Sequence, residues 1–292
     1  MLIHILSKLL SECFLSLYPV FVKNINLPIF VQMWSRFISY IVISAAFVNY
    51  YYILKNIVSS RGLALSLITT LHIYTSYRGF QLLESGISYT IFYLYPIMIL
   101  IMSGEKIHPI MLLSLIGVYI LSQTGDKKES QQKKTNEDMQ NYSSLSPKME
   151  GIIMILGAAA TEAAIFFAVR GLKTENHWNH LFLSYFLGAI LFTIMLIGGG
   201  SSDWVSSSTI TNIFEKRELY LSIIINAAIG LFGYLLRFYA MSNLSAHIYA
   251  PLSYFGIFMS YVYGVLINGD TITLSKIIGT ILIIIPNIFF LL

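Results

Sequence analysis

Two carboxylates stand inside apolar stretches of this chain at matching places. Ser11-Glu12 lies near the middle of the first stretch and Thr161-Glu162 near the middle of the sixth, and a lysine follows each acid eleven residues later, Lys23 and Lys173. A carboxylate in hydrocarbon is costly, and by default it marks a functional position. The chemistry such a pair offers is uptake of a proton, or a direct bond to a cationic group.

Other charges share these stretches: Arg36 in the second, Arg78 and Glu84 near the far end of the third, and Arg237 in the eighth, flanked by Tyr234 and Phe238. A guanidinium such as Arg237 presents a planar fork of donors that fits a carboxylate or phosphate; it is equally suited to neutralising Glu162. Arg36 and Arg78 lie closer to the ends of their stretches, so snorkelling to the interface is expected of both. Lys8 precedes Glu12 by one helical turn, whereas Ala158 holds that place before Glu162, so a local ion pair accounts for only one of the acids. Tyrosine adds a flat apolar face and a hydroxyl that needs a partner when buried. Of the twenty tyrosines, Tyr77, Tyr93 and Tyr254 are the strongest candidates to line a cavity, while Tyr74, Tyr89, Tyr95, Tyr234 and Tyr249 divide between cavity, packing and interfacial belt. The candidate binding set is therefore Glu12, Glu162, Arg237, Tyr77, Tyr93 and Tyr254.

No catalytic set appears among one cysteine, Cys13, and six scattered histidines. His177 and His180 stand three apart without further ligands nearby, and Trp178 between them reads as an interface anchor, so no metal and no cofactor is expected. His247 opens the ninth stretch, where it would line an entrance.

The elements that must position these groups follow from composition. Charged residues make up 11% of the 292 and the hydrophobic class 56%, against about 25% and about 45 to 50% in soluble domains. Most of the chain must therefore face lipid or other helices. Stretches long enough to cross a core about 30 Å thick run over 2–22, 29–54, 62–81, 86–103, 109–123, 151–170, 180–199, 219–241, 245–267 and 272–292. The expected fold is all-α, with ten transmembrane helices. A β-barrel is excluded, because the runs do not alternate and exceed the roughly ten residues a tilted strand needs. The first stretch has no small-residue cleavage site behind it and is expected to be kept. At about 1.5 Å of rise per residue, Glu12 lies roughly 15 Å past Leu2 and Glu162 roughly 16 Å past Gly151, both at the bilayer midplane.

Residues 124–150 are polar, and their lysines and acids nearly cancel, which predicts a disordered tether and no nucleic-acid partner. The tether separates residues 1–123 from 151–292, five helices from five. A shift of 150 lays Ser11-Glu12 on Thr161-Glu162 and Lys23 on Lys173; a shift of 160 lays Tyr74 on Tyr234, Ser85 on Ser245, Tyr89 on Tyr249 and Tyr95 on Phe255. Gly104-Glu105 and Gly269-Asp270 follow the fourth and ninth stretches. These matches describe a duplicated five-helix unit. Because five is odd, the second unit enters the membrane from the opposite side, giving the inverted repeats of alternating-access carriers with a site at the midplane.

The runs YPVFVK, YRGFQLLESGISYTIFYLYP, GEK, GYLLRFYAMSNLSAHIYAPLSYFGIFMSYVYG, NGDTIT and SKIIGTILII resemble the ten-helix EamA-domain carriers of the drug/metabolite transporter superfamily. The likeness covers the chain apart from the tether. Tyr249-Ala250, Ser253, Gly256-Ile257, Gly269 and Ile278-Gly279 are also similar to the four-helix small multidrug resistance proteins of that superfamily, whose first helix carries a glutamate shared by protons and substrate. That resemblance implies the same role for Glu12 and Glu162. It further implies both termini in the cytoplasm, an orientation on which the basic residues are silent once the tether is set aside.

The expectation is a multi-pass secondary transporter, in the cell membrane, that moves a small organic solute by alternating access. It would be driven by protons or by exchange, and would work as a monomer or homodimer within the lipid bilayer. A membrane-embedded enzyme and a structural or assembly protein are the alternatives.

Overall fold

The computed structural model describes residues 1–25, 27–104, 109–123, 146–198 and 217–291; residues 124–145 of the expected tether, with Glu105, Lys106 and the side chain of His247, lie outside them. The described residues form helices: α1 (Leu2–Leu15), α2 (Tyr18–Asn24), α3 (Ile29–Ala45), α4 (Tyr50–Asn56), α5 (Ser60–Leu82), α6 (Ser85–Phe92), α7 (Tyr95–Met102), α8 (Leu112–Gln123), α9 (Pro147–Gly171), α10 (His177–Gly198), α11 (Arg217–Asn243), α12 (Ala246–Ser253), α13 (Phe255–Tyr263) and α14 (Leu274–Leu291).

Six helical stretches are long and apolar enough to cross a bilayer: Leu2–Asn24, Ser85–Met102, Pro147–Gly171, His177–Met195, Tyr220–Asn243 and Ile248–Asn268. Ile29–Ala45 and Leu274–Pro286 are apolar but shorter. The reason α5 falls outside this group is its inside-out pattern. Leu63, Leu67, Leu71 and Tyr74 make an exposed apolar stripe, while Ser66, Thr69, His72, Thr75 and Ser76 turn inward, against α9 and α10. The polar face of a helix that is enclosed by protein on one side need not be apolar.

One expected stretch is shortened. The run 29–54 divides because Asn49 caps a separate helix: its side chain accepts from Tyr52 N at 3.1 Å, and its own N–H donates to Asn179 Oδ1 at 2.8 Å. Asn176 Nδ2 also holds Phe47 O at 2.8 Å. These bonds end α3 at Ala45 and put Arg36 in its middle.

The first helix of each half packs on the third of the other, α1 against α11 and α9 against α5, while α3 packs on α10 and α8 on α14. Three of the long stretches are bent midway, between α1 and α2, α6 and α7, and α12 and α13. Pro19 and Pro96 stand at the starts of α2 and α7, where a missing N–H interrupts the ladder. The chain tightens at each bend, with Leu17 N reaching Phe14 O at 3.2 Å, Leu94 N reaching Ile91 O at 3.1 Å and Ile257 N reaching Tyr254 O at 3.1 Å. Gly104 and Gly269 carry φ of 80° and 67°, the positive values found among the described residues, so the two glycines aligned between the halves share a left-handed turn.

Candidate functional site

Glu12 on α1 and Glu162 on α9 meet at Arg237 of α11. Arg237 Nη1 donates to Glu162 Oε1 at 2.8 Å, and Nη2 donates to Glu12 Oε1 and Oε2 at 3.1 and 3.3 Å. Lys8 forms the local ion pair with Glu12, and Tyr93 OH donates to Glu12 Oε2. Lys8 Nζ also donates to Tyr95 OH at 3.2 Å and lies 3.8 Å from the Tyr249 ring centre. Lys8, Glu12 and Glu162 are wholly buried and Arg237 nearly so, so two cations and two anions cancel in a space sealed from solvent. Removing one partner from such a set costs about 3 to 5 kcal/mol, because it orphans a buried charge.

The bend between α6 and α7 brings Tyr93 over Glu12, and the approach depends on Gly256 of α13. A Cβ there would stand 2.7 Å from Glu12 Oε2 and would overlap the Tyr93 hydroxyl.

The two glutamates differ in their partners. Both oxygens of Glu12 accept hydrogen bonds, whereas Glu162 Oε2 accepts none and faces His72 Nε2 at 3.4 Å. His72 Nδ1 lies 3.1 Å from Ala158 O, an atom that can only accept, so Nδ1 carries the hydrogen. In the neutral ring Nε2 is then an acceptor, able to take a bond from Tyr234 OH at 3.3 Å. Toward Glu162 it confronts a second acceptor unless a proton lies between them.

Arg36 corrects the expectation of snorkelling. It is 2% exposed, because α3 ends early and leaves it mid-helix, and its guanidinium carbon lies 4.5 Å from the ring centre of Tyr18, 5.4 Å from Tyr40, 5.5 Å from Tyr77, 5.6 Å from Tyr185 and 5.0 Å from Tyr234. Nη2 donates to Tyr185 OH at 2.7 Å and Nη1 to Tyr77 OH at 3.2 Å. Among the described residues no carboxylate pairs with it. Gly230 of α11 makes room for the Tyr18 and Tyr40 hydroxyls, which share a hydrogen bond at 2.8 Å. Arg78 forms a partly exposed pair with Glu150 at 2.7 Å.

The structure thus brings Glu12, Glu162, Arg237 and Tyr93 together. It places Tyr77 in the second centre, where its hydroxyl also accepts from Asn226 Nδ2 at 3.2 Å. Tyr254 borders the first centre, its ring centre 6.3 Å from that of Tyr93 and its hydroxyl buried without a hydrogen-bond partner. Tyr74 is 39% exposed and lines nothing. His72 and Asn226 were not anticipated, although Ser66, Thr69, His72 and Ser76 form a polar stripe at helical spacing that would have exposed His72.

Between the two arginines lies a cavity of about 20 Å³ lined by Tyr18, Arg36, His72, Tyr234 and Arg237 among others, room for about one water. A larger hollow of about 760 Å³ opens where α9 ends and α10 begins, bordered by Arg170, Lys173, His177, Tyr239 and Asn243.

Residues 149–292 match the model of the EamA-like transporter family. That stretch is similar to the EamA-like transporters. The expected kinship is borne out there, and with the apolar helices it indicates an integral, multi-pass membrane protein. No curated protein matches in sequence. A crystal structure superposes with a TM-score of 0.56 over 98% of this chain and 94% of its own, at 14% identity, a likeness of fold alone. Glu162, the wholly buried glutamate of the matched residues, is one of the two that meet at Arg237.

Proposed function

We propose that the protein is a secondary carrier which moves a small organic solute by alternating access and couples that movement to protons at Glu162, in the cell membrane. The observation that carries this reading is the sealed arrangement of Glu12, Arg237 and Glu162, contributed by helices from both halves. A charge set that cancels while enclosed is what a carrier needs as its core passes between two water-facing states.

The domain arrangement supports the reading. Residues 1–123 and 151–292 act as two inverted five-helix repeats joined by the stretch 124–150, whose last residues from Pro147 onward already open α9, and the reciprocal packing of α1 on α11 and α9 on α5 is the pairing such an axis requires. The bends beside Tyr93, Tyr254 and Ser16 give rocking helices their pivots.

The glutamates divide the work. Glu12, held by Lys8, Tyr93 and Arg237, keeps the fold together. Glu162 exchanges: ionised in the enclosed neutral set, it takes up a proton at the Oε2 that faces His72 Nε2 and releases it again in each cycle. When it leaves, the carboxylate leans further on Arg237, and the contacts between α9, α5 and α11 loosen or tighten accordingly. Glu12, Glu162, Arg237, Tyr93 and Tyr254 border the solute path, with Tyr77 at its other end.

Uptake of labelled metabolite classes into proteoliposomes, with and without an imposed pH gradient, tests this. Gradient-driven accumulation of at least one class is expected; absence of transport for every class, by a protein that melts cooperatively, overturns the carrier reading.

A further inference from the structure

The Arg36 centre is left over once the carrier's charge set is assembled, and its composition says what it would accept. Lys8 and Arg237 are balanced by Glu12 and Glu162, so Arg36 is an additional buried cation in this core. Arginine stays charged in proteins, and a buried charge calls for a counter-charge. Among the described residues it has ring faces and phenolic oxygens for partners. Its Nε, like that of Arg237, has no hydrogen-bond partner. The Tyr77 and Tyr185 hydroxyls accept from the guanidinium, which leaves their own O–H groups free to donate, and Tyr18 and Tyr40 share one bond between two donors. Donors converge on this spot in excess, with a full positive charge among them. Aromatic faces can stabilise a guanidinium, yet they leave its net charge in place. The fork geometry of such a group fits an oxyanion, to which it can bond in two parallel contacts.

Position ties the centre to the transport path. Arg36 and Arg237 line the same small cavity, and the Tyr234 ring centre lies 5.0 Å from one guanidinium and 5.7 Å from the other. We infer that Arg36 and its tyrosine cage seat the oxyanion of the transported solute, so that the substrate is an organic anion bearing a carboxylate or phosphate. The inference rests on the carrier reading for the word transported, but the binding itself does not. Opening the cavity between α3, α5, α10 and α11 admits the solute, whose anionic end meets Arg36 and the Tyr77 and Tyr185 hydroxyls. The remainder of the solute extends toward Arg237, where Glu162 and His72 report its arrival to the proton site.

The test is a melting-temperature series on the purified full-length protein in detergent, at constant ionic strength in chloride. The probes are benzoate, succinate and glutamate in one arm, inorganic phosphate and glycerol phosphate in a second, and benzamide and tetraethylammonium in a third. Saturable stabilisation in the first or second arm, with the better arm naming the oxyanion, is expected in the parent and in R78Q, and lost in R36Q. R36K keeps the charge but not the fork and should weaken the apparent Kd roughly tenfold or more. If R36Q does not fold, the paired variant Y77F/Y185F, which deletes two hydroxyl donors and retains the cation, carries the test, and it should weaken the same ligand. Stabilisation by the third arm alone, no stabilisation by any probe, or anion binding indifferent to R36K and Y77F/Y185F overturns the assignment. Anion binding that depends on Arg36 with no flux in vesicles would instead leave the site standing and defeat the carrier.

Discussion

Two buried arginines within reach of one tyrosine ring have opposite surroundings. Arg237 lies between two carboxylates and completes a neutral set with Lys8; Arg36 lies among five tyrosines, with no carboxylate beside it among the described residues. The first is a cross-link: it ties α1, α9 and α11 together, and its loss strands two anions. Among the described residues the second holds no anion, so its loss strands no charge. A buried cation that is already paired serves the fold and the switch, while one left with aromatic faces is available to a ligand.

That comparison breaks first at Arg237. R237M should cost about 3 to 5 kcal/mol, read as a large drop in melting temperature or in the monodisperse fraction, and R237M/E162Q should be more stable than R237M because it removes an orphaned anion. A double variant no better than the single would show that the pair is not what holds these helices.

Glu12 should matter more to stability than Glu162. E12Q removes the charge that Lys8, Tyr93 and Arg237 all address, at about 2 to 4 kcal/mol, whereas E162Q leaves an amide able to satisfy Arg237 through one oxygen. Equal melting temperatures would erase the distinction between a structural and an exchanging carboxylate.

Smaller changes probe the approach of helices at each centre. G256A pushes on the Tyr93 hydroxyl and Glu12 Oε2, and G230A on the Tyr18 and Tyr40 hydroxyls; overpacking of this kind costs about 1 to 3 kcal/mol. Both should lower thermal stability, with G256A reducing proton movement only in proportion to its folded fraction and G230A weakening anion binding. Least affected should be the stability of R36M, at about 1 kcal/mol or less, since replacing an uncompensated buried charge by an apolar side chain is often neutral. A loss as large as that of R237M would make the two arginines equivalent.

The first centre was legible because acids and an arginine inside apolar runs contradict their surroundings. Glu12, Glu162 and Arg237 were visible as anomalies, and Tyr93 as one of the tyrosines inside apolar runs. The second was hidden by a helix end. The run 29–54 reads as one span, and only long-range bonds from Asn176 and Asn179 to Phe47 and Asn49 stop α3 at Ala45 and centre Arg36. His72 escaped notice for a related reason: α5 carries its polar residues on a protein-facing side, so its composition hides that it is enclosed. The bends beside Pro19 and Pro96 were present in the sequence, but their alignment with Glu12 and Tyr93 depends on packing.

The central claim is that Glu162 moves the proton while Glu12 holds the site. It is tested most directly in proteoliposomes carrying an internal pH-sensitive dye, given the ligand that raises the melting temperature most. Proton movement on ligand addition should be present in the parent, reduced in E12Q only in proportion to its folded fraction, and abolished in E162Q. Proton movement in E162Q equal to that of the parent would contradict the account.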